Sequence, residues 1–285
     1  MIKPGLTVMA AVCLAACGSD SDSDDNKSVV INFGAGLGTE VMACGPRTTP
    51  VGSQQTQPEV KDFRLYISDV QVAGSDGQFR SVELEQNDWQ HKNVALLDFE
   101  DGSASCSGGN AAMNKQLTGN VKDFSGDVAQ VRFTIGVPES LNHLDRTTAA
   151  SPLNIDGMTW SWAGGYKHAR LDVNGWNIHL GTTGCTLDDN NQNLDCSNDR
   201  PNRPTYTLSG IDLDDDKIYF DYAALVNSAD ISSNMADTPL GCMSFASDSD
   251  CAPVFTAMGL DLTSGECAAA GCDSQTWVSI TPLDQ

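Results

Sequence analysis

The sequence predicts an all-β protein: a single loop-rich β-sandwich or irregular barrel stapled by disulfides. Three observations carry that expectation. Apolar side chains recur with a period of two in short segments, no helical stripe of several turns follows the N-terminal leader, and ten cysteines occur in 285 residues. A period of two sends alternate side chains to opposite faces of a pleated strand, so one face can be buried and the other wetted. At 40% hydrophobic and 19% charged the chain has a globular composition, and its length suffices for a sizeable core. No internal repeat and no second linker divides it, so residues 29–285 are expected to form one domain behind a leader and a tether.

Residues 1–16 read as an export signal. Lys3 precedes the apolar run Leu6 to Ala16, which is too short to span a bilayer but suits the core of a signal peptide. Leu14-Ala15-Ala16-Cys17 resembles the bacterial lipoprotein cleavage box, in which Cys17 becomes the lipidated first residue; ordinary cleavage beyond Cys17 is the rival reading. Residues 17–28, with the acidic, Ser-rich run Asp20 to Ser28, make a flexible tether. Gly18 after the Cys fits outer-membrane sorting, so the expected place is the periplasm or cell surface, on a lipid anchor. Loss of Lys3 takes the formal charge from -22 to -23, that is, 38 acidic against 15 basic residues.

The strands follow in order. Phe63, Leu65 and Ile67 alternate with Arg64, Tyr66 and Ser68, and Val131, Phe133 and Ile135 alternate with Gln130, Arg132 and Thr134, which predicts two half-buried strands. Val29 to Phe33, Val82 to Leu84, Val94 to Phe99, Ala169 to Val173, Thr205 to Ser209 and Lys217 to Tyr222 read as further strands. Turn-rich stretches such as Gly74-Ser75-Asp76-Gly77 and Asp188 to Asn193 punctuate them. The Gly-rich run Gly34 to Gly38 reads as a loop, because no helix follows it and no βαβ unit surrounds it. Asp189 to Asp195 carries oxygen side chains at alternate positions like a calcium loop, without the EF-hand glycine and terminal Glu. A solvated turn is expected there, with calcium as the secondary reading.

Beside Cys17, eight cysteines remain in the processed chain. Eight allow about 105 full pairings, but the last six fall into three close couples in polar loops. The expected bridges are Cys185–Cys196, Cys242–Cys251 and Cys267–Cys272, leaving Cys44–Cys106 as the long staple. Exported thiols with close partners oxidise; thiolate ligation of zinc or Cu(I) is the alternative.

The strong negative charge repels phosphate backbones and leaves no basic stripe, so nucleic acid is not an expected partner. No Gly-x-Ser-x-Gly elbow, His-Glu-x-x-His helix or Walker loop occurs, and no carboxylate pair stands apart by spacing. Four histidines, His91, His143, His168 and His179, are the scarce residues. Any one of them is more often satisfied by backbone groups than bound to metal, yet neutral imidazole is what a periplasmic copper site would use.

Several motifs together carry a resemblance. Trp89-Gln90 followed by Val94-Ala95-Leu96-Leu97-Asp98-Phe99-Glu100-Asp101-Gly102 comes first, then Cys106, Gly136-Val137-Pro138, Leu141-Asn142-His143 and Pro152-Leu153-Asn154. Met158-x-Trp160-x-Trp162, Gly165-Tyr166-Lys167, Arg170-x-Asp172, His179-Leu180-Gly181-x-Thr183-Gly184-Cys185 and Asn202-Arg203 complete the series. In this order they resemble the MbnP family, the four-Cys-motif proteins of the metallo-mystery pair systems, related to the copper proteins MopE and CorA. The match runs roughly from Ile31 to Leu260.

That resemblance implies a periplasmic or surface copper-binding protein, with copper held as Cu(I). It also implies a partner, an MbnH-like, MauG-type dihaem c-type peroxidase that oxidises one Trp to kynurenine. The chain is then the substrate of the modifying enzyme and not itself an enzyme; it has no Cys-x-x-Cys-His haem site. Trp89 is the expected kynurenine, since it opens the motif and stands two residues from His91, on one face if both lie in a strand. His143 is the leading second ligand and His179 the next, with His168 a local substitution. Trp160 and Trp162 are the rival oxidation sites. Copper acquisition or handling follows as the role. Two other classes compete: a surface adhesion or glycan-binding lipoprotein using Trp160, Trp162 and Trp176 as an exposed platform, and a hydrolase, for which no motif speaks.

Overall fold

The computed structural model describes residues 1, 26–106, 111–190, 192–268 and 271–284. The leader, Cys17 and the tether up to residue 25 lie outside the described residues. The strands are β1 (Lys27–Leu37), β2 (Glu40–Val41), β3 (Gly45–Pro46), β4 (Glu59–Ala73), β5 (Arg80–Leu84), β6 (Gln90–His91), β7 (Val94–Asp98) and β8 (Gln116–Val121). They continue as β9 (Gln130–Ile135), β10 (Lys167–Val173), β11 (Trp176–Gly181), β12 (Thr186–Leu187), β13 (Leu194–Asp195), β14 (Thr205–Ser209), β15 (Asp216–Asp221) and β16 (Val278–Pro282). Helices are short: α1 (Glu139–Asn142), α2 (Tyr222–Leu225) and α3 (Cys251–Met258). Among the described residues no helix is long and apolar enough to cross a membrane. The all-β class holds, but the mixed sheet does not close into a barrel.

β4 organises the molecule. At 15 residues it is long enough to pair with β10 and then β9 along one edge, and with β3, β7 and β5 along the other. A bulge between Ser68 and Gln71 in the β4–β9 ladder separates the stretch that pairs with β7 from the stretch that pairs with β5; Asp69 within it has φ 53°. Such a bulge bends a strand, which lets one chain segment serve two parts of a curved sheet.

The main core lies on the Phe63, Leu65 and Ile67 face and contains Phe33, Phe99, Phe133, Tyr206, Phe220 and Trp277. Contrary to the half-buried expectation, the opposite face of β4 is also covered: Arg64, Tyr66 and Ser68 are buried. A second apolar cluster of Tyr66, Val94, Leu96, Val137, Leu141, Leu153, Met158 and Tyr166 sits there, under the long segment between β9 and β10. Alternation told which residues share a face, but a face can be dried by a loop as well as left to solvent.

Four disulfides join Cys44 to Cys106, Cys185 to Cys196, Cys242 to Cys251 and Cys267 to Cys272. These are the pairs that sequence proximity suggested, and they take up all eight sulfurs that a thiolate site would have needed. Gly34 to Leu37 is strand and not loop. It forms the end of β1, where Gly36 pairs with Asp221 and a Cβ would run into the Tyr219 hydroxyl and the Glu40 carbonyl. Its glycines serve a close backbone approach. Domain onset shifts as well, because β1 begins at Lys27, inside the stretch expected to be tether.

Candidate metal centre

The loop over the second face is built from local rules. Gly136-Val137-Pro138 leaves β9, Pro138 opens α1 as the capping residue, and Leu141 and Asn142 bury themselves. The Asn142 side-chain carbonyl accepts from the Tyr166 N–H at 2.9 Å. Gly165, at φ 69°, packs against that amide, with space for no Cβ. Asn142 therefore fixes the end of α1, and His143 follows as its C-cap.

His143 is half-buried. Its Nδ1 lies 2.9 Å from the Trp162 carbonyl oxygen. A carbonyl only accepts, so Nδ1 carries the hydrogen and Nε2 keeps its lone pair. The Trp162 indole N–H donates in return to the His143 carbonyl at 2.8 Å, which locks the two residues together. Nε2 faces Asn142 Nδ2 at 3.3 Å, Cys196 Sγ at 3.7 Å and Cys185 Sγ at 3.8 Å. An imidazole with one N–H tied to a backbone carbonyl is the form in which His ligates metals; here Nε2 accepts from the Asn142 amide, a neutral donor that an ion would have to displace. Asp199 stands within electrostatic reach, and its carboxyl is raised by burial and then by Glu139.

Trp162 is 45% exposed and begins a 3-10 turn, Trp162–Gly164. Trp160 lies before it, its N–H bonded to the Gly165 carbonyl, and its ring fills the space that a Cβ on Gly181 would need. The two indoles thus do not share a strand face. A groove beside Trp162 is lined by Leu144, Arg146, Trp160 and Tyr166.

The other expected site residues scatter. Trp89 lies in the turn between Asn87 and Gln90 and packs on the second apolar cluster; only Gln90 and His91 are strand. The shared strand face with His91 is therefore absent, because the turn ends one residue too late. Neither ring nitrogen of His91 is seen bonded to a described residue. Trp89 and Leu141 belong to one apolar cluster, so this turn and α1 lie on the same side of the sheet. His168 is fully buried: Nδ1 accepts from the Val137 N–H at 3.2 Å, and Nε2 meets Thr182 Oγ1 at 3.1 Å and the Pro201 carbonyl at 3.2 Å. Burial, with Arg203 nearby, pulls it down to about 3, so it is a neutral structural residue with no nitrogen to spare. Trp176 is also fully buried, which removes it from any exposed stacking platform.

His179 belongs to a row of buried charges across the strands. It pairs with Arg170, Arg170 with Arg64, and Arg64 with Asp98 in successive registers. Asp62 accepts from Arg64 and from Arg170, Asp172 accepts from Arg170 at 2.7 Å, and His179 Nε2 lies 2.9 Å from Asp172 Oδ1. Lys167 donates to the Gly157 carbonyl at 3.0 Å and is lowered to about 8 by burial. Asp98 is pushed up to about 7, chiefly by burial, and Glu100 rises for the same reason. Asp98 Oδ2 and Glu100 Oε1 have no hydrogen-bond partner. Arg170-x-Asp172 and Asp98-Phe99-Glu100 are thus parts of this row.

Fold and site together define a disulfide-stapled β protein with a histidine fixed by hydrogen bonds on a loop over its main sheet. The MbnP family model matches residues 26–244, and the chain belongs to that family. The solved structure of MbnP from Methylosinus trichosporium superposes with a TM-score of 0.78 at 27% identity, covering 90% of this chain and 99% of that one. No curated protein matches in sequence.

Proposed function

We propose that this is an exported copper-binding protein whose site includes His143 and is completed by a tryptophan opened to kynurenine by a partner dihaem c-type peroxidase. Membership in the MbnP family fits a copper-associated, methanobactin-related role. The observation that carries the reading is the His143 orientation: Nδ1 is held on the Trp162 carbonyl, and Nε2 is turned away from the backbone toward the Cys185 and Cys196 sulfurs. Imidazole nitrogen suits Cu(I), which accepts few ligands. The chain is modified rather than catalytic, and a lipidated Cys17 holds it in the periplasm or at the surface, on the outer membrane.

Geometry favours Trp162 as the residue opened. It is exposed to a partner and bonded to His143 through both its carbonyl and its indole N–H. Two equivalents of peroxide, activated on the partner's haem, would insert two oxygens across the indole C2–C3 bond and leave as two waters. Hydrolysis then removes the formyl group as formate, leaving a ketone and an aryl amine beside the imidazole. Trp89 is the second reading, supported by the Trp-x-His spacing and by the unengaged ring of His91.

Co-expression with an MbnH-like dihaem c-type peroxidase, followed by peptide mass mapping over Trp89, Trp160, Trp162 and Trp176, tests this. Kynurenine at Trp162, with copper affinity above that of protein expressed alone, is expected. Kynurenine at Trp89 moves the site to the His91 turn, and an intact set of indoles under every pairing overturns the reading.

A further inference from the structure

We propose that the Cys185–Cys196 disulfide is a redox gate: when reduced, its two thiolates and the His143 imidazole form a three-coordinate site for a soft metal ion, Cu(I) above all. This goes beyond the kynurenine-completed site, sharing only His143 with it.

The first observation is geometric. The two sulfurs and His143 Nε2 lie within 4.8 Å of one another, with Nε2 3.8 and 3.7 Å from them. Around a trigonal ion with metal–sulfur distances of about 2.3 Å and a metal–nitrogen distance of about 2.0 Å, nitrogen and sulfur donors sit about 3.7 Å apart. The imidazole is already at that separation from both sulfurs, its lone pair facing them because Nδ1–H is held by the Trp162 carbonyl. Only the sulfurs must part, and breaking their bond permits it.

The second observation sets this bridge apart from the other three. Each of those has at least one fully buried cysteine: Cys106, Cys272, or both Cys242 and Cys251. Cys185 and Cys196 are both partly open to solvent. They close the hairpin of β12 and β13, a two-stranded sheet separate from the large one. A thiolate can therefore reach this bridge, and opening it leaves the core strands paired.

The chemistry balances with a dithiol as reductant. One thiolate of the dithiol attacks a bridge sulfur to form a mixed disulfide; its second thiol displaces the other cysteine, leaving two cysteine thiols and the oxidised dithiol. Binding Cu(I) then releases two protons as both thiols become thiolates. Exchange with a disulfide oxidant restores the bridge: that disulfide takes the two electrons and two protons to become two thiols, the cysteine sulfurs bond to each other, and Cu(I) leaves, so the redox state of the hairpin sets whether the protein holds or yields its metal.

The test uses unmodified protein, with every indole intact. Brief dithiothreitol treatment, anaerobic gel filtration and maleimide mapping should label Cys185 and Cys196 ahead of the other six. The reduced protein should retain a single equivalent of Cu(I) against a chromophoric chelator that strips the oxidised form, with X-ray absorption reporting two sulfur donors and one nitrogen. Cys185→Ser/Cys196→Ser should lose that gain, and His143→Ala should lose the nitrogen. Circular dichroism of the double variant checks that the sheet is intact, and reduced wild type alone keeps the donor count readable if it is not. No gain on reduction, or a gain that survives in the double variant, overturns the proposal. Neither result touches the kynurenine site, whose own test needs the peroxidase and the intact disulfide.

Discussion

Replacing Asp98 by Asn should flatten the pH dependence of stability and raise stability above neutrality. The row holds four buried carboxylates, Asp62, Asp98, Glu100 and Asp172, facing Arg64, Lys167, the partly buried Arg170 and the His179 imidazole. Asp98 is where a negative charge is least tolerated, since Oδ2 has no partner and burial pushes the group from 3.8 up to about 7. Its folded value is raised, so the unfolded chain gives up this proton first. Stability from this group is therefore full below about pH 4, falls as pH rises toward about 7, and is flat beyond. At 1.36 kcal/mol per pH unit the whole excursion is about 4 kcal/mol. Asn keeps the acceptor for the Glu100 N–H, which Asp98 Oδ1 provides at 3.0 Å, and carries no charge. At pH 8.5 Asp98→Asn should be more stable than wild type by about 2–4 kcal/mol, and at pH 4 nearly equal to it. Urea unfolding with disulfides intact, run on both proteins from pH 4 to 8.5, gives the difference curve in which all other titrations cancel. A difference that does not change with pH would refute the reading of Asp98 as a carboxyl raised by burial.

Two further outcomes are expected. His143→Ala should cost only about 1 kcal/mol of stability, the worth of one Nδ1–H bond at a partly exposed site, while losing much of the copper affinity; equal copper binding by both proteins, read by chelator competition, moves ligation to His91. His168→Gln should leave copper binding unchanged but remove an acid-sensitive limb. With a folded value near 3 against 6.5 unfolded, neutral His168 contributes stability that is full above about pH 6.5 and lost as pH falls toward 3, and urea midpoints at pH 7 and 4.5 in both proteins would expose it.

The strands that could be read in the sequence are those with apolar side chains toward the main core: β1, β4, β5, β7, β9, β10, β14 and β15. β8, Gln116 to Val121, escaped because Gly119 sits where Val82 and the Glu83 carbonyl press close, interrupting the alternation. β11 escaped for the opposite reason: Trp176 to Gly181 mixes a core tryptophan with His179, which is buried by pairing with Asp172, so polarity no longer marks the outward residues. The disulfides were legible because three couples are near in sequence and the fourth was then forced. At the site, His143 could be singled out as a rare residue, but its tie to Trp162, 19 residues away, depends on the loop folding over the second face, and no periodicity encodes that. The shared strand face expected of Trp89 and His91 is absent because the strand begins one residue late.

The two faces of β4 explain why the family motifs divide as they do. Phe63, Leu65 and Ile67 need only apolar partners, and many residues satisfy that. The other face must cover Arg64 and Tyr66, so it demands particular groups: Asp62, Arg170 and Asp172 for the guanidinium row, and the Pro152 carbonyl for the Tyr66 hydroxyl at 2.9 Å. The loop that supplies Pro152 is the one that carries Asn142, His143, Trp160 and Trp162. Its Tyr166 donates a hydroxyl to the Leu153 carbonyl at 2.6 Å and its N–H to Asn142. The polar needs of the covered face thus hold the loop in one conformation, and that conformation fixes the imidazole. A side chain on a long loop is ordinarily a mobile one; the position of His143 is set by buried hydrogen bonds, so removing the Tyr66 hydroxyl should loosen His143 without touching it.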